Sequence, residues 1–394
     1  MYLPAEISKK KKVIVGMSGG VDSSVAAALL KHAGYDVVGV FMKNWADPKY
    51  PCPWEDDRRD AMRVAAILDI PFQTWDFSRE YRAAVVSYMI REYAAGRTPN
   101  PDVMCNREIK FGIFLNKALS LGADFVATGH YVRLLPEFSI SNSQFSNSEK
   151  NLGNYEIENS LKIKNYKLKI AKDLNKDQSY FLWTLTQDQL KHVLFPIGDY
   201  TKPEVRKMAA ELGLPTAEKP DSQGVCFVGE IDVVEFLKDH IPTEKGKVLT
   251  TAGKIVGEHD GVSFYTIGQR HGMGVGGGIP FYVAEKDIRT NTLVVAQGPN
   301  DNKLFARELV AIDVNWISGV PSFPLKCEAR IRYRQPLQRC SVRRQATSDK
   351  RQSKGTYHIS HVTCHFEEDQ RAVTPGQSVV FYKNGVMLGG GIIA

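Results

Sequence analysis

The sequence is poor in cysteine and has no long apolar segment. Only six of its 394 residues are cysteine, and none belongs to a Cys-x-x-Cys pair. Neither a disulfide-stapled scaffold nor a four-cysteine zinc site is therefore expected. No run approaches the ~18 apolar residues of a membrane span, and residues 1–12 lack the apolar stretch of a secretory signal. We expect a cytoplasmic protein with free thiols and no use of a membrane.

Positive charge is concentrated in one part of the chain. The formal net charge is +7, and residues 326–354 hold ten basic side chains against Glu328 and Asp349. That segment amounts to +8, which leaves −1 for the rest of the chain. Such a patch is typical of a polyanionic partner, although a solvated basic surface explains the charge equally well.

The first half of the sequence alternates apolar strands with helical patterns. Strands are predicted at residues 13–17, 36–42, 71–75 and 124–128, and helices at residues 23–33, 55–69, 79–95 and 108–121. This alternation predicts an α/β fold with a doubly wound parallel sheet. Ligands of such sheets bind beyond the carboxyl ends of the strands.

The second half of the sequence changes character. Helical periodicity returns at residues 179–190 and 202–212, and short strands with glycine turns follow from about residue 246. We expect a catalytic domain at 1–237, a β-rich domain at 238–302 and a C-terminal β-barrel at 303–394. Two polar stretches look like insertions. Residues 139–165 contain 12 Ser or Asn in 27 positions, which predicts a mobile loop, and a second polar loop is expected near 344–356.

A glycine-rich turn joins the first strand to the first helix. It reads Gly16-Met17-Ser18-Gly19-Gly20-Val21-Asp22-Ser23-Ser24. Glycines let the backbone approach a ligand, and a helix N-terminus offers free N–H groups to an anion. The turn therefore predicts a phosphate or pyrophosphate site, and a purely structural turn is the less favoured alternative. No Gly-Lys-Ser/Thr of a Walker A loop occurs in the chain. The turn resembles the pyrophosphate loop of ATP pyrophosphatases, which cleave ATP between the α and β phosphates.

Two cysteines lie in contexts that favour chemistry. Cys105 shortly precedes a predicted helix, where the helix dipole favours the reactive thiolate. Asp102, three residues earlier, is a candidate general acid or base, although a turn or capping role is the common one. Cys226 is flanked by Gly224 and Gly229 in a loop-like segment. The other four cysteines (Cys52, Cys327, Cys340 and Cys364) are expected to be small buried residues.

One further cluster could bind a metal. His361, Cys364 and His365 have a spacing that permits it, but they lie in an alternating run typical of a strand. We expect the strand and no metal site.

Several separate motifs, in the same order, resemble the bacterial tRNA-specific 2-thiouridylase family. Beside the phosphate loop they are residues 100–111, Thr128-Gly129-His130-Tyr131, residues 175–182, residues 221–229, Thr266-Ile267-Gly268-Gln269-Arg270, Arg332-Tyr333-Arg334 and Thr374-Pro375-Gly376-Gln377. The resemblance spans nearly the whole chain and implies a sulfurtransferase that converts the wobble uridine of tRNA to 2-thiouridine. It also implies ATP with Mg²⁺, a protein persulfide donor from a sulfur relay, and a chain that is monomeric when free.

The resemblance assigns roles to individual residues. Cys226 would carry the persulfide, Cys105 would be the nucleophile that forms a transient disulfide with it, and Asp102 would act as acid or base. Nucleotide contacts would come from Gly16, Met17, Ser18, Gly19, Gly20, Val21, Asp22, Ser23, Met42 and Gly129. Contacts with tRNA would come from Asn100, Pro101, Asp102, His130, Lys176, Asp177, Gln178, Arg332, Tyr333 and Gln377.

Two rival functions remain open at this stage. A small-molecule ATP pyrophosphatase would explain the loop but neither the cysteine contexts nor the basic tail, and its ATP–pyrophosphate exchange would not depend on tRNA. A non-catalytic tRNA-binding protein with a relic nucleotide site is disfavoured by the presence of Asp22, Cys105 and Cys226.

Overall fold

The computed structural model describes residues 10–47, 49, 54–140, 161–220, 233–275, 278–345 and 361–394. The strands are β1 Lys12–Gly16, β2 Asp36–Lys43, β3 Phe72–Asp76, β4 Phe125–Ala127, β5 Arg133–Ile140, β6 Leu161–Lys169, β7 Val193–Leu194, β8 Gly246–Thr250, β9 Ile255–His259, β10 Phe281–Asp287, β11 Thr292–Gln297, β12 Phe305–Trp316, β13 Leu325–Arg330, β14 Gln338–Arg344, β15 His361–Arg371, β16 Ser378–Lys383 and β17 Val386–Ile393.

The helices lie mostly in the first half of the chain. They are α1 Val21–His32, α2 Trp54–Ile67, α3 Ser78–Tyr81, α4 Ser87–Ala94, α5 Pro101–Met104, α6 Phe114–Ser120, α7 Gln187–Leu190, α8 Lys202–Glu211 and α9 Val233–Lys238. Two π-helical stretches, Arg82–Val86 and Cys105–Ile113, join α3 to α4 and α5 to α6. Among the described residues, no helix combines the length and the apolar character needed to cross a membrane.

A five-stranded parallel sheet forms the first layer, in the order β3-β2-β1-β4-β7. Val13, Ile14 and Val15 of β1 are almost wholly buried, because helices cover both faces of the sheet. The strand order reverses direction between β1 and β4, and a crevice for a ligand is expected at the carboxyl ends of these two strands. The prediction of a doubly wound α/β fold is confirmed.

The second half is built from two further sheets. Strands β8 to β11 form a four-stranded sheet in the order β10-β11-β8-β9. Strands β12, β15, β14, β13, β16 and β17 follow one another around a barrel, which the pairing of β12 with β17 closes. The prediction of two β-rich modules, the last a β-barrel, is confirmed.

The two ends of the expected polar insertion form strands. We predicted a mobile loop over residues 139–165, but Arg133–Ile140 and Leu161–Lys169 pair as an antiparallel hairpin. Strand β6 also pairs with β17 at Leu168 and Lys169, so the hairpin extends the barrel sheet and links it to the catalytic domain. This pairing satisfies backbone groups that a loop would leave to water. Residues 141–160 and 346–360 lie outside the described residues, and the latter range includes most of the polar loop predicted near 344–356.

The helix predicted at residues 179–190 is wrong in its extent. Ser179–Leu182 is a 3-10 turn. The helix α7 begins separately at Gln187, where Thr186 and Gln189 form a capping box. The side chains before it bind the barrel instead. The Tyr180 hydroxyl donates to the Ser378 carbonyl at 2.8 Å, and the Trp183 indole donates to the Ser378 hydroxyl at 2.9 Å. These tertiary hydrogen bonds outweigh the local preference for a longer helix.

Candidate active site

The phosphate loop lies where the sequence predicts it, between β1 and α1 at the reversal of strand order. Gly19 has a φ of +78°, a conformation that favours glycine, and a side-chain carbon there would lie 2.2 Å from the Asp57 carbonyl oxygen. The loop is therefore pressed against the start of α2. Its N–H groups at the N-terminus of α1 form a site for an anion.

The loop hydroxyls are held in place by one another. The Ser23 hydroxyl accepts from the Ser18 amide at 3.1 Å and donates to the Gly20 carbonyl at 3.1 Å. The Ser24 hydroxyl also donates to that carbonyl at 2.8 Å and accepts from Thr216 at 3.0 Å. These contacts fix the turn before any ligand binds, which reduces the entropy lost on binding.

Gly129 forms the opposite wall of the loop. A side-chain carbon on Gly129 would lie 2.6 Å from the Ser23 nitrogen and 2.7 Å from the Asp22 carbonyl carbon. Likewise, one on Gly16 would lie 2.9 Å from the methyl group of Met42. The two predicted nucleotide residues outside the loop, Met42 and Gly129, thus border it directly.

A lysine that sequence reasoning missed lies beside the loop. The Lys202 ammonium pairs with both carboxylate oxygens of Asp22 at 2.9 Å, and its side chain is 10% exposed. The Tyr131 hydroxyl donates to the same carboxylate at 2.7 Å. Lys202 opens α8, whose capping box of Thr201 and Glu204 is visible in the sequence. Its nearness to Asp22, 180 residues away, could not be read from that local signal.

Cys105 lies deeper in its helix than we predicted. The helix begins at α5, where Asn100 accepts from the Val103 amide and Pro101 takes the first position. Cys105 is therefore the fifth helical residue and begins the π-helical stretch. The helix dipole acts mainly within the first turn. Cys105 lies beyond that turn, so our prediction that Cys105 lies at the helix N-terminus, where the dipole would favour its thiolate, is wrong. The Asn100-Pro101 signal for the true start was present in the sequence.

The Cys105 side chain is buried. Its helix packs against the segment that lines the phosphate loop, since Phe111 and His130 lie 5.8 Å apart between ring centroids. His130 directly follows Gly129, so the thiol-bearing helix and the phosphate loop belong to one site at the carboxyl edge of the sheet.

Asp102 has the properties of an acid–base group. Burial raises the pKa of its carboxyl above the ordinary value, and the Lys110 charge only partly opposes this. Such a carboxyl can hold a proton at a higher pH than an exposed aspartate and can exchange it with a substrate. Lys110, on the same helix, is a second residue that sequence reasoning missed.

Two predicted tRNA contacts are buried within the protein. The His130 ring is 7% exposed and bonds the Thr128 hydroxyl at 2.7 Å, and burial holds the pKa of His130 well below its usual value. Asp177 is 2% exposed and accepts from the Ser179 hydroxyl and from Arg330. In this structure neither side chain is exposed enough to meet a large ligand, so we assign neither of them a direct contact with tRNA.

The remaining predicted tRNA contacts lie closer to solvent. Lys176, Gln178, Arg332, Tyr333 and Gln377 are all partly exposed. The Tyr333 ring packs on the Phe181 ring with 4.6 Å between the ring centroids, and the Arg334 guanidinium lies 5.1 Å from the Tyr333 ring centroid. Burial lowers the pKa of Arg332, and the nearby positive charge of Arg371 lowers it further. Arg332 and Arg371 are therefore neighbouring cations. Neighbouring cations and an accessible ring are suited to a single-stranded anion.

Three family models match the chain in succession. They are described as the tRNA methyl transferase HUP domain (residues 11–230), the tRNA methyl transferase PRC-barrel domain (234–297) and the aminomethyltransferase β-barrel domain (306–393). The tRNA-specific 2-thiouridylase MnmA 2 of Geobacillus kaustophilus is 47% identical over 386 residues, covering 97% of this chain and 94% of the relative. The chain belongs to the tRNA-specific 2-thiouridylase family.

Other 2-thiouridylases match equally broadly. The MnmA of Nitrosomonas eutropha is 47% identical over 394 residues, and that of Legionella pneumophila is 45% identical over 392, each covering 98% of both chains. The family resemblance inferred from the sequence motifs is thereby confirmed. A solved 4-thiouridine synthetase–RNA complex with bound ATP aligns over 59% of this chain and 50% of its own at 17% identity, with a TM-score of 0.34, too low for a functional argument.

Cys226, the second cysteine of the predicted pair, lies outside the described residues. So does Cys52. The pairing of Cys226 with Cys105 therefore stays a prediction. Cys340 and Cys364 are buried in the barrel core and Cys327 is partly buried, in agreement with their expected packing role.

Within the described residues, no group of three or more His, Cys, Asp or Glu side chains could hold a metal ion. His361 and His365 lie on β15, and strand alternation turns the buried Cys364 to the opposite face. The expectation of a strand at this cluster is confirmed.

Proposed function

We propose that this chain catalyses ATP-dependent 2-thiolation of the wobble uridine of tRNA, as a tRNA-uridine 2-sulfurtransferase. The observation that carries the proposal is the junction of the phosphate loop with the helix of Asp102 and Cys105, through the contact of His130 with Phe111. Family membership supports the same reaction, since the curated relatives are named tRNA-specific 2-thiouridylases.

The uracil C2 carbonyl is a poor electrophile, because its oxygen is a poor leaving group. ATP makes that oxygen part of an adenylate: the oxygen displaces pyrophosphate from the α-phosphate, and AMP can later leave. The N–H groups of Gly19 and Gly20 and the hydroxyls of Ser18 and Ser23 would hold the pyrophosphate at the N-terminus of α1. Glycine at positions 19 and 129 lets the loop pack closely against Asp57 on one side and against the end of β4 on the other, which would hold it in this shape.

Lys202 and Asp22 would adjust the charge of this site. Lys202 pairs with Asp22 of the loop, so its ammonium lies close enough to offset the phosphate charge of bound ATP. Mg²⁺ fits the same place, because Asp22 supplies the oxygen ligand that this cation prefers. Bound there, Mg²⁺ would neutralise charge on the departing pyrophosphate.

Sulfur transfer would use the two cysteines in sequence. The terminal sulfur of a Cys226 persulfide attacks C2 of the adenylated uridine, and AMP leaves. The Cys105 thiolate then attacks the Cys226 sulfur, which releases the sulfur on the base as 2-thiouridine and joins the two cysteines in a disulfide. A reducing thiol must open this disulfide before the next cycle. Asp102 would exchange the proton that the base loses or regains.

The barrel would hold the tRNA. Arg332, Tyr333, Lys176 and Gln178 would contact the tRNA, and Asn100 with Pro101 would face the target base. Arg and Lys bind the backbone phosphates, while Tyr333 can stack on an unpaired base that has left the anticodon stack. The other partner is a protein persulfide donor of a sulfur relay, and we place the reaction in the cytoplasm, with the free enzyme as a monomer.

Two cysteine substitutions test this function. Cys105→Ala and Cys226→Ala should each abolish formation of 2-thiouridine and leave tRNA binding nearly unchanged, because both act after the tRNA is bound. Nucleoside mass spectrometry of a tRNA transcript after incubation with ATP and a persulfide donor measures the product. Cys327→Ala is the matched control and should retain activity. Near-normal thiolation by either of the first two variants would refute the assigned sulfur chemistry.

A further inference from the structure

The chain that leads towards Cys226 is attached to the phosphate loop itself. The Thr216 hydroxyl donates to the Ser24 hydroxyl at 3.0 Å, and both residues are fully buried. Ser24 ends the loop motif and lies in the first turn of α1. Because this hydrogen bond is shielded from water, it fixes the position of Thr216 relative to the loop.

Lys219, three residues further on, binds α2. Its ammonium lies 2.7 Å from the Asp57 carboxylate and 2.6 Å from the Asp60 carboxylate. The Lys219 side chain is 26% exposed, so both ion pairs are partly protected from screening by salt. Asp57 is also the residue whose carbonyl oxygen closely faces Gly19 of the phosphate loop. Lys219 therefore binds the part of α2 against which the loop packs.

Arg206 of α8 holds the backbone between these two side chains. Its guanidinium donates to the Ala217 carbonyl at 2.6 Å and to the Lys219 carbonyl at 2.9 Å. A guanidinium presents its donors in a fixed plane, so the two hydrogen bonds set the direction of the chain as well as its position. Residues 216–219 are thus held by the phosphate loop, by α2 and by α8.

This anchored segment limits the reach of the predicted sulfur carrier. Cys226 follows Lys219 by seven residues and lies outside the described residues. Seven residues span at most about 25 Å even when fully extended. The point at which Lys219 is held therefore sets an upper limit on the distance between the Cys226 sulfur and the nucleotide site.

We propose that Lys219 is a positioning residue, which ties the chain leading to Cys226 to the part of α2 that packs on the phosphate loop. Held there, the sulfur carrier stays within reach of a base that is adenylated at the loop. A contact of Lys219 with ATP would instead break both ion pairs and leave Asp57 and Asp60 facing a polyphosphate. The consequence for sulfur transfer rests on the function proposed above, whereas the anchoring of residues 216–219 does not.

The decisive variant is Lys219→Met, which keeps an unbranched side chain but removes the ammonium. Amide hydrogen exchange of residues 214–220 in the free enzyme, measured by peptide mass spectrometry, should become about tenfold faster, because the segment opens more often. Peptides from the buried strand β16 report global unfolding in the same sample. Lys167→Met removes an ion pair of 2.7 Å from the β5–β6 hairpin and should leave the exchange of residues 214–220 unchanged.

The two steps of the reaction distinguish positioning from nucleotide binding. ATP–pyrophosphate exchange with tRNA precedes the arrival of sulfur, so Lys219→Met should retain it within about twofold. In single-turnover assays with saturating tRNA and ATP, sulfur transfer should be about tenfold slower, since a misplaced reacting group reacts slowly. Lys219→Arg should restore transfer, because a guanidinium can pair with both carboxylates. The combined replacement of Asp57→Asn and Asp60→Asn should reproduce the defect.

The outcomes separate the alternatives. Unchanged hydrogen exchange of residues 214–220 in both Lys219→Met and the double asparagine variant overturns the proposal. So does a loss of pyrophosphate exchange as large as the loss of sulfur transfer, because Lys219 would then serve the nucleotide itself. If the wild-type enzyme forms no 2-thiouridine while the hydrogen exchange changes as expected, the function proposed above is wrong and the anchoring role of Lys219 stands.

Discussion

Replacement of Gly129 by alanine tests the geometry of the nucleotide site. The new methyl group would lie 2.6 Å from the Ser23 nitrogen and 2.7 Å from the Asp22 carbonyl carbon, and ordinary contacts begin at 3.4 Å. Both obstacles are backbone atoms, so β4 and the phosphate loop must separate by about 0.8 Å. Overpacking of this kind costs about 1–3 kcal/mol, and a displacement of about 1 Å at a reacting group can cost about 100-fold in rate.

We therefore expect Gly129→Ala to lower kcat/KM for ATP in tRNA-dependent ATP–pyrophosphate exchange by about 100-fold. The protein should remain folded by circular dichroism. Gly122→Ala is the control, because no atom lies within 4 Å of the added carbon; its φ of +77°, which Gly129 does not share, makes it a stringent control for backbone strain alone. If Gly129→Ala exchanges pyrophosphate at a rate close to that of the control, the argument that the loop is a fixed, close-walled site is refuted.

The other predictions concern the charged groups of the site. Lys202→Met should weaken ATP binding measured by calorimetry by about ten- to a hundredfold, since a hydrogen bond to a charged group contributes about 1.5–3 kcal/mol; an unchanged Kd would remove Lys202 from the nucleotide site. Asp102→Asn should stabilise the protein in urea at neutral pH, because burial raises the pKa of the native carboxyl. That gain should shrink as pH falls through the raised pKa towards the ordinary carboxyl value, where the aspartate is protonated in both states; a gain that grows with acidity would contradict the assignment. Arg332→Ala should weaken tRNA binding and lower the slope of log Kd against log salt by about one, and an unchanged slope would exclude a phosphate contact.

The sequence predicts the frame of the site because its signals are local. A buried apolar run followed by Ser18-Gly19-Gly20 identifies the phosphate loop, and alternation of strands and helices identifies the parallel sheet around it. Asn100-Pro101 marks the start of the catalytic helix just as clearly. We nevertheless predicted that the helix begins at Glu108, because the apolar pattern is strongest after that residue.

Contacts between distant residues were out of reach of such signals. Lys202 joins Asp22 across 180 residues, and nothing in either local sequence pairs them. Arg330 belongs by sequence to the basic segment, yet it is 6% exposed and paired with Asp177 across 153 residues. The net charge of the segment therefore overstates the number of positive side chains at the barrel surface. Among the described residues of the segment, the exposed basic side chains are Lys326, Arg334, Arg339, Arg343 and Arg344.

The central claim is that ATP cleavage at the phosphate loop is coupled to sulfur transfer onto tRNA. The most direct test is to measure AMP, pyrophosphate and 2-thiouridine together, with unmodified tRNA, ATP, Mg²⁺ and a persulfide donor. The account predicts one AMP and one pyrophosphate for each 2-thiouridine, and no pyrophosphate release without tRNA. Thiolation without ATP, or pyrophosphate release supported by a small carboxylate or nucleotide in place of tRNA, would contradict it.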